Sequence, residues 1–167
     1  MKKKIITLIA AMNLDGVIGY ANKIPWHNKT DLLRFKELTT GGTVILGRKT
    51  YESLPPKGLP ERTVCVISST LPMGKVSRDI NVFIFPSIEM AIKDSITEQI
   101  WIAGGAKIYQ EVLKNNLPDF IDLTIINEHH ELKGEVVKMP EIPSSYSIVS
   151  EVVNENDKKL LHRKYCK

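Results

Sequence analysis

Three short polar segments follow apolar runs at points where a chain can bind phosphate. Gly47-Arg48-Lys49-Thr50 combines two cations with a hydroxyl, and Ser68-Ser69-Thr70 offers hydroxyls and backbone N–H groups. Gly104-Gly105-Ala106-Lys107 would let the backbone approach a diphosphate closely. Taken singly, the first could be a solvated basic turn and the last a tight turn between a strand and a helix. Together they predict a ligand with several phosphates spread across neighbouring strands.

The two common nucleotide fingerprints, G-x-G-x-x-G and G-x-x-x-x-G-K-[ST], do not occur in the sequence. Their absence excludes a standard Rossmann domain and a P-loop NTPase.

Asp31 is the candidate acid. On a helix it shares a face with Phe35, one turn later, and Leu32 lies alongside. A carboxylate on an apolar face is costly to bury without a partner, so a buried Asp31 would suit a cationic or amidine-like ring edge. The alternative is a capping box with Asn28, in which Asp31 only satisfies backbone N–H groups.

Two further features could contact a ligand. The segment 13–23 is polar and bears glycines, and Ile24-Pro25-Trp26 follows it, which suits a lid over an active site. A surface loop pinned by a buried Trp26 is the alternative. Arg62 begins a strand and could bind a carboxylate as a fork, or it could form a surface ion pair with a nearby Glu.

The elements that position these residues follow from hydrophobic periodicity. Short apolar runs predict strands over 5–11, 43–47, 63–67, 82–85, 100–103 and 120–127. Helical spacing predicts helices from Leu32 to Leu38 before the stop Thr40-Gly41-Gly42, over 50–54, after Ser87 as N-cap, and from Gly105 to Leu113.

The C-terminal part of the chain differs in kind. The strand-like runs 146–153 and 160–165 flank Asn154-Glu155-Asn156-Asp157, which predicts an antiparallel hairpin. The predicted fold class is therefore α/β, with a mixed, mainly parallel eight-stranded sheet, helices on both faces and a C-terminal antiparallel hairpin. We expect one domain over residues 1–167. In such sheets ligands bind at the carboxyl ends of strands, where the polar segments stand.

Composition limits the class of protein. The net charge of +4 is too weak and too scattered to indicate nucleic-acid binding. Met1-Lys2-Lys3-Lys4 before an apolar run resembles a signal peptide, but turn residues end that run, and no apolar stretch is long enough to span a membrane. We expect a cytoplasmic protein that binds neither nucleic acid nor membrane.

The cysteines and histidines point to no metal. Cys65 and Cys166 are expected to be reduced thiols in strands, although a bridge between them stays open. The four histidines lack metal-ligand spacing, and His129 and His130 are adjacent, so in a strand they would point to opposite faces.

Together these motifs resemble the dihydrofolate reductase family over nearly the whole chain. The residues that carry the resemblance are Ile9-Ala10-Ala11, Asp15-Gly16-Val17-Ile18-Gly19, Ile24-Pro25-Trp26, Asp31-Leu32-Leu33-Arg34-Phe35-Lys36, the run 44–54, Leu59-Pro60-Glu61-Arg62 and Gly104-Gly105-Ala106-Lys107-Ile108-Tyr109. The resemblance implies a monomer that reduces dihydrofolate to tetrahydrofolate with NADPH, that binds antifolate inhibitors, and whose residues 43–97 form an adenosine-binding subdomain.

For the substrate, the resemblance implies that Asp31 is the catalytic carboxyl group of the pterin pocket. It would hold the amide N–H and amino group of the ring and support protonation of the ring nitrogen, and Thr124 would share its hydrogen bonds. Burial should raise the pKa of Asp31, so activity should fall as pH rises through it. Arg62 would bind the glutamate α-carboxylate. The other substrate-binding residues would be Ile9, Ala10, Leu32, Phe35, Leu54, Leu59, Ala103 and Tyr109.

For the cofactor, the resemblance implies contacts to the nicotinamide side from Ala11, Ile18 and Gly19. Arg48, Lys49 and Thr50, with Ser68 and Ser69, would bind the phosphates and favour NADPH over NADH. A cis peptide bond would join Gly104 to Gly105. Asn22, Gly47, Ala106, Lys107, Ile108 and Tyr109 complete the expected cofactor-binding set, and Ile24 and Trp26 belong to the lid.

Three positions depart from the family pattern. Ala103 stands where a larger aliphatic residue is common, which should leave space beside the pterin or an inhibitor. The segment 134–140 lacks the usual aspartate and phenylalanine, so whether Glu135 steadies the lid stays open. Ile24 replaces a Met or Leu. We expect altered lid dynamics and altered antifolate sensitivity.

Two other functions compete with this interpretation. A riboflavin-pathway reductase would share the fold and cofactor but would have no reason for both Asp31 and Arg62 at these spacings. A non-catalytic nucleotide-binding module would bind NADPH without reducing a pterin, and Asp31→Asn would then change little.

Overall fold

A mixed sheet of nine strands runs through the computed structural model, which describes residues 2–76 and 81–167. The strands are β1 (Ile5–Asn13), β2 (Val17–Tyr20), β3 (Thr43–Gly47), β4 (Thr63–Ile67), β5 (Gly74–Lys75), β6 (Val82–Phe85), β7 (Gln99–Ile102), β8 (Phe120–Ile126), β9 (Val136–Lys138), β10 (Ser147–Val153) and β11 (Leu160–Cys166). The helices are α1 (Lys29–Thr39), α2 (Arg48–Glu52), α3 (Ile88–Asp94) and α4 (Ala106–Lys114).

The order of the main sheet is β10-β11-β8-β1-β7-β3-β4-β6-β5. From β8 through to β6 every neighbouring pair is parallel, whereas β5–β6, β8–β11 and β10–β11 are antiparallel. The predicted fold class, a mixed and mainly parallel sheet that ends in an antiparallel hairpin, is confirmed.

The predicted number of eight strands is wrong. All eight are present, but β5 adds a ninth to the main sheet, and β2 and β9 form a separate two-stranded sheet. These three strands have two to four residues, too few for periodicity to reveal them. As a consequence, the segment 13–23, expected to be a loop, contains a strand.

Apolar side chains fill both faces of the sheet, which is why its strands read as nearly continuous apolar runs. On one face, Ile9 and Val44 belong to a core against which Phe35 of α1 packs. On the other face, Leu8 and Ile45 belong to a second core that includes residues of α3 and α4. Helices therefore cover both faces, as predicted.

The helix boundaries follow local capping. Asn28 caps α1, the C-cap at Thr40 matches the predicted stop, and Ser87 caps α3 by accepting from the Met90 N–H at 3.3 Å. The expected helix 50–54 instead spans Arg48–Glu52. It begins directly after Gly47 without a side-chain cap, so no capping residue marked its start.

The two cysteines are free, as expected for reduced thiols. Cys65 lies on β4 and Cys166 on β11, and five strand spacings separate these strands in the sheet. At about 4.8 Å per spacing, the two thiols are roughly 24 Å apart, so no bridge can join them.

His129 and His130 lie beyond the end of β8 and not in a strand, so the expected strand geometry is wrong for them. Both contact the start of the lid. His129 Nδ1 is 3.0 Å from the Asp15 carboxylate, and His130 Nδ1 is 3.2 Å from Asn13 Nδ2.

Within the described residues, the helices are all too short or too polar to cross a bilayer.

Candidate active site

Asp31 lies in the first turn of α1 and faces β8. Its backbone N–H donates to Asn28 Oδ1 at 2.9 Å, so Asn28 is the N-cap. Among the hydrogen bonds of the described residues, the Asp31 carboxylate does not return one to Asn28, and the reciprocal capping box is not formed. The carboxylate is instead half-buried beside Thr124.

The environment of Asp31 favours its protonated form. Burial is the largest cause, and it raises the pKa of Asp31 above the ordinary 3.8. Hydrogen bonding with Thr124 and the positive charge of Arg34 act against this rise, while the negative charge of Asp122 adds to it. The expected direction of the pKa shift is confirmed.

Two charged residues to which sequence reasoning gave no role form a largely buried pair beside Asp31. Arg34 Nη1 and Nη2 donate to the two carboxylate oxygens of Asp122 at 2.7 and 2.9 Å. Asp122 stands two residues before Thr124 on β8, so both side chains point to the same face. An aspartate inside the otherwise apolar strand was the signal that could have revealed the pair, because a buried carboxylate needs a cation.

His162 is a further polar neighbour that sequence reasoning missed. It pairs across from Thr124 in the β8–β11 register, and its Nδ1 lies 3.0 Å from Thr124 Oγ1. Its Nε2 lies 2.9 Å from Asn154 Nδ2 in the hairpin loop. Only the strand register brings these residues together, and periodicity alone does not fix that register.

Tyr109, on α4, is a further neighbour of Asp31. Its hydroxyl donates to the carbonyl oxygen of Ile9 at 2.7 Å. Burial raises the pKa of Tyr109, and the negative charge of Asp31 raises it further, so the two side chains lie near each other. The expected substrate residues Ile9, Asp31, Tyr109 and Thr124 are therefore brought together.

The remaining expected substrate residues divide between the faces of the sheet. Leu59 belongs to the same core as Ile9, and Phe35, Leu54 and Ala103 pack against it. The Ala10 side chain belongs to the core on the opposite face, because adjacent strand residues alternate. Leu32 is 49% exposed and belongs to neither core.

Arg62 is buried, with only 5% of its surface exposed. Its Nε donates to the Pro60 carbonyl at 2.9 Å and its Nη1 to Thr39 Oγ1 at 3.2 Å. Burial lowers the pKa of Arg62. No carboxylate pairs with Arg62 in the part of the chain that the structure describes, so the alternative of a surface ion pair is not formed.

The ends of β3 and β7 form a cradle of glycines. The Gly47 N–H donates to the Gly104 carbonyl at 2.8 Å, and the Gly104–Gly105 peptide bond is cis, as expected. A Cβ at Gly105 would lie 3.1 Å from Thr50 Oγ1, so the backbone of α4's first turn sits directly against α2. Ala106 and Lys107 begin α4, and Ile108 is buried beside Gly47.

Gly104 lies directly against the side chain of Tyr109. Its φ is +108°, and a Cβ there would lie 3.1 Å from the Tyr109 hydroxyl oxygen. A residue with a side chain would therefore be strained in its backbone and would press on Tyr109.

The expected phosphate-binding side chains stand next to this cradle. Arg48 and Lys49 are exposed at the start of α2. The register pairs Gly47 with Ile67, which brings Ser68 to the same sheet end. Ser68 is buried and its hydroxyl accepts from the Leu71 N–H at 3.1 Å, whereas Ser69 is exposed.

The expected lid is attached along β2 and β9. Tyr20 pairs with Val136, the Met139 N–H donates to the Gly16 carbonyl at 2.9 Å, and the Tyr20 hydroxyl donates to the Lys133 carbonyl. The Glu135 side chain forms no hydrogen bond or ion pair among the described residues, so backbone pairing takes the steadying role that was left open for it.

The lid residues differ in exposure. Ile18 packs against the core that contains Ala10. Gly19 lies in β2, and Asn22, exposed with a φ of 61°, sits in the turn that follows. The lid residue Ile24 is 57% exposed, whereas Trp26 is half-buried with its ring 5.5 Å from that of His130. Ala11, on β1, is half-buried.

Over residues 2–76 and 81–167, no group of three His, Cys, Asp or Glu side chains is placed to hold a metal ion.

Comparison with known proteins agrees with this arrangement. The family model for dihydrofolate reductase matches residues 5–166. The chain is 38% identical over 157 residues to a bifunctional dihydrofolate reductase-thymidylate synthase of Paramecium tetraurelia, covering 92% of this chain but only 32% of that protein. It is 37% identical to a type 15 dihydrofolate reductase of Escherichia coli, covering 84% of this chain and 85% of that one.

A solved structure is also similar. Dihydrofolate reductase from Enterococcus faecalis, complexed with NADP(H) and RAB-propyl, superposes with a TM-score of 0.79 at 30% identity, covering 97% of this chain and 95% of that chain. The sequence match and the similarity of the fold agree with each other. The chain belongs to the dihydrofolate reductase family of enzymes.

Proposed function

We propose that this chain reduces 7,8-dihydrofolate to 5,6,7,8-tetrahydrofolate with NADPH. The observation that carries the proposal is the half-buried carboxylate of Asp31, whose pKa burial raises, on the face of the sheet walled by Phe35, Leu54 and Ala103. Membership of the family and the NADP(H) bound to the Enterococcus faecalis relative support it.

The residues at the ends of β3 and β7 fit a dinucleotide. At Gly105 a Cβ would crowd Thr50, so glycine lets the start of α4 lie directly against α2, where the backbone N–H groups of its first turn would bind the diphosphate. Arg48 and Lys49 would bind the 2′-phosphate, together with Ser69. Ala11, Ile18, Gly19, Asn22, Gly47, Thr50, Ser68, Gly104, Ala106, Lys107, Ile108 and Tyr109 complete the proposed set. When bound, NADPH supplies the hydride.

Asp31 would orient the pterin and hold a proton near it. The ionised carboxylate can accept hydrogen bonds from the amide N–H and the amino group of the ring, and a raised pKa lets the carboxyl group hold a proton at a higher pH than an exposed aspartate does. The walls of Ile9, Phe35 and Leu54 exclude water, which strengthens these polar contacts. Protonation of the ring nitrogen would depend on Asp31, because Asp122, which lies on the same face, is paired with Arg34.

Arg62 would bind the α-carboxylate of the substrate's glutamate. Its guanidinium is buried and held by a carbonyl and a hydroxyl, neither of which carries charge. A carboxylate would supply the missing counter-charge through the remaining N–H groups.

Other parts of the assignment extend the proposal. Residues 43–97 would be an adenosine-binding subdomain; they include β3, β4, β5 and β6, which are adjacent in the sheet, although 77–80 lie outside the described residues. We propose a cytoplasmic monomer that binds antifolates and supplies tetrahydrofolate for one-carbon metabolism and nucleotide synthesis.

The test is the loss of NADPH absorbance after dihydrofolate is added. Asp31→Asn should lower the rate by about 10²- to 10⁴-fold, the range for loss of a catalytic acid. Asp94→Asn, which changes an exposed carboxylate at the end of α3, should leave the rate unchanged. A folded, NADPH-binding protein that does not turn over would favour the non-catalytic alternative, and an active Asp31→Asn would refute the role of Asp31.

A further inference from the structure

Three polar side chains near Asp31 are joined in a row by hydrogen bonds, and the proposed function gives a role only to the one nearest Asp31. Asn154 contacts His162, and His162 contacts Thr124, at 2.9 and 3.0 Å. Thr124 stands beside Asp31, and its hydroxyl acts to lower the pKa of that carboxyl group. The donor and the acceptor of each hydrogen bond in this row follow from Asn154, the residue farthest from Asp31.

The orientation of the Asn154 amide is fixed by its own loop. Its Oδ1 accepts from the backbone N–H groups of Asn156, at 2.8 Å, and Asp157, at 3.1 Å. The group that faces His162 Nε2 must therefore be the NH₂ of Asn154, which can only donate. His162 Nε2 is then an acceptor and carries no proton.

The position of the proton on His162 follows. A neutral imidazole has one N–H, so an unprotonated Nε2 places it on Nδ1, which points at Thr124 Oγ1. An imidazolium would instead aim Nε2–H at the NH₂ of Asn154. Burial lowers the pKa of His162 and the nearby charge of Arg34 lowers it further; the charge of Asp122 acts in the opposite direction, but the net shift is downward and favours the neutral ring.

Thr124 therefore accepts from His162 and has one hydrogen left to donate. An ionised carboxylate can only accept, so the hydroxyl hydrogen of Thr124 is available to be donated to Asp31. We propose that Asn154 and His162 fix the Thr124 hydroxyl as a donor to Asp31, which makes His162 a positioning residue that favours the ionised form of this carboxylate. The inference rests on the proposed role of Asp31.

The other polar groups around Asp31 do not replace the Thr124 hydroxyl as a donor. Arg34 comes from α1, Asp122 from β8 and Tyr109 from α4. Arg34 and Asp122 neutralise each other through two hydrogen bonds, and the Tyr109 hydroxyl is committed to the Ile9 carbonyl. The Thr124 hydroxyl is thus left as the neutral donor that can offset the burial of Asp31.

The first experiment reads the tautomer directly. In ¹⁵N-histidine-labelled wild-type protein near neutral pH, His162 should show a protonated Nδ1 and an unprotonated Nε2. The signal is assigned by replacing His27, His129 and His130 in turn, which leaves His162 intact. The opposite tautomer, or a doubly protonated ring, would overturn the proposal.

The second experiment measures the pH dependence of hydride transfer. His162→Phe keeps an aromatic ring but frees the Thr124 hydroxyl to rotate, so the pH midpoint of activity should move upward by about half a pH unit. Thr124→Val should move it in the same direction, and adding His162→Phe to Thr124→Val should move it no further. Asn154→Ala should have a smaller upward effect, and Asn156→Ala, in the same loop, should have none.

The outcomes separate the two proposals. If Asp31→Asn abolishes reduction but His162→Phe and Thr124→Val leave the pH midpoint in place, the positioning role is wrong and the proposed function stands. If Asp31→Asn keeps full activity, the proposed role of Asp31 fails first. A change in KM for dihydrofolate alone, without a shift of the pH midpoint, would indicate only structural disturbance.

Discussion

At the scale of single residues, Asp31 lowers the stability of the folded chain at neutral pH. Its pKa is raised in the folded protein, chiefly because burial disfavours the charged carboxylate. An acid whose pKa is higher in the folded state takes up protons on folding, so stability falls as pH rises from the ordinary pKa through the raised one. The residue proposed for catalysis therefore opposes folding.

Replacing Asp31 should accordingly stabilise the protein while inactivating it. We expect Asp31→Asn to raise the unfolding temperature at about pH 7. At about pH 3 it should change the unfolding temperature little, because the protonated aspartic acid and the asparagine are both neutral there. Thermal unfolding followed by circular dichroism at the two pH values measures the difference. A lower unfolding temperature at neutral pH would mean that the carboxylate is stabilised by its neighbours.

Ala103 offers a second test at this scale. It is half-buried on the pocket face, against the same core as Phe35 and Leu54. Ala103→Ile would fill space beside the proposed pterin site, so we expect antifolate affinity to fall by about tenfold while NADPH affinity stays the same. Titration calorimetry with each ligand measures both. Unchanged inhibitor affinity would show that the smaller side chain leaves no usable space.

At the scale of elements, the Arg34–Asp122 pair joins α1 to β8. The side chains are 23% and 11% exposed, so breaking the pair strands a largely buried charge. We expect Arg34→Gln and Asp122→Asn each to cost about 3 kcal/mol of unfolding free energy, measured with urea. Lys2→Ala, which breaks the exposed pair with Glu98, should cost less than about 1 kcal/mol.

The same two substitutions should move the pH profile in opposite directions. Arg34 lowers the pKa of Asp31 and Asp122 raises it, so the pH midpoint of activity should rise in Arg34→Gln and fall in Asp122→Asn. Midpoints that move the same way would mean that repacking of α1, rather than charge, controls Asp31.

The elements also show what sequence can predict. The central strands were predictable because burial on both faces leaves a nearly continuous apolar run, as around Ile9 and Val44, and α1 was predictable because burial on one face leaves helical spacing. β2, β5 and β9 were not, because strands this short are held by pairing, and pairing leaves no signature in a single sequence. The lid therefore looked like a loop.

The polar neighbours of Asp31 escaped prediction for a related reason. His162 is 131 positions away from Asp31 along the chain and reaches Thr124 only through the register of β11 on β8. The resemblance to the family gave Thr124 a role but gave none to Arg34, and it did not include His162 or Asp122. Contacts that depend on register need coordinates.

At the scale of the whole molecule, chain order and sheet order disagree. β1 is made first but lies between β7 and β8, while the last strand, β11, closes the far side of β8. The candidate site draws Ile9 from the first strand, Asp31 from the first helix and Thr124 from β8, so nearly the entire chain must be in place to assemble it.

This arrangement has a consequence for synthesis of the protein. During translation β1 cannot join its two parallel neighbours until residues through 126 have left the ribosome, and the Thr124 hydroxyl gains its His162 partner only after β11 follows. The emerging chain therefore carries an apolar strand with both hydrogen-bonding edges open until β7 has emerged, and with one edge open until β8 follows. We expect chaperones that recognise extended apolar segments to bind the nascent protein at β1.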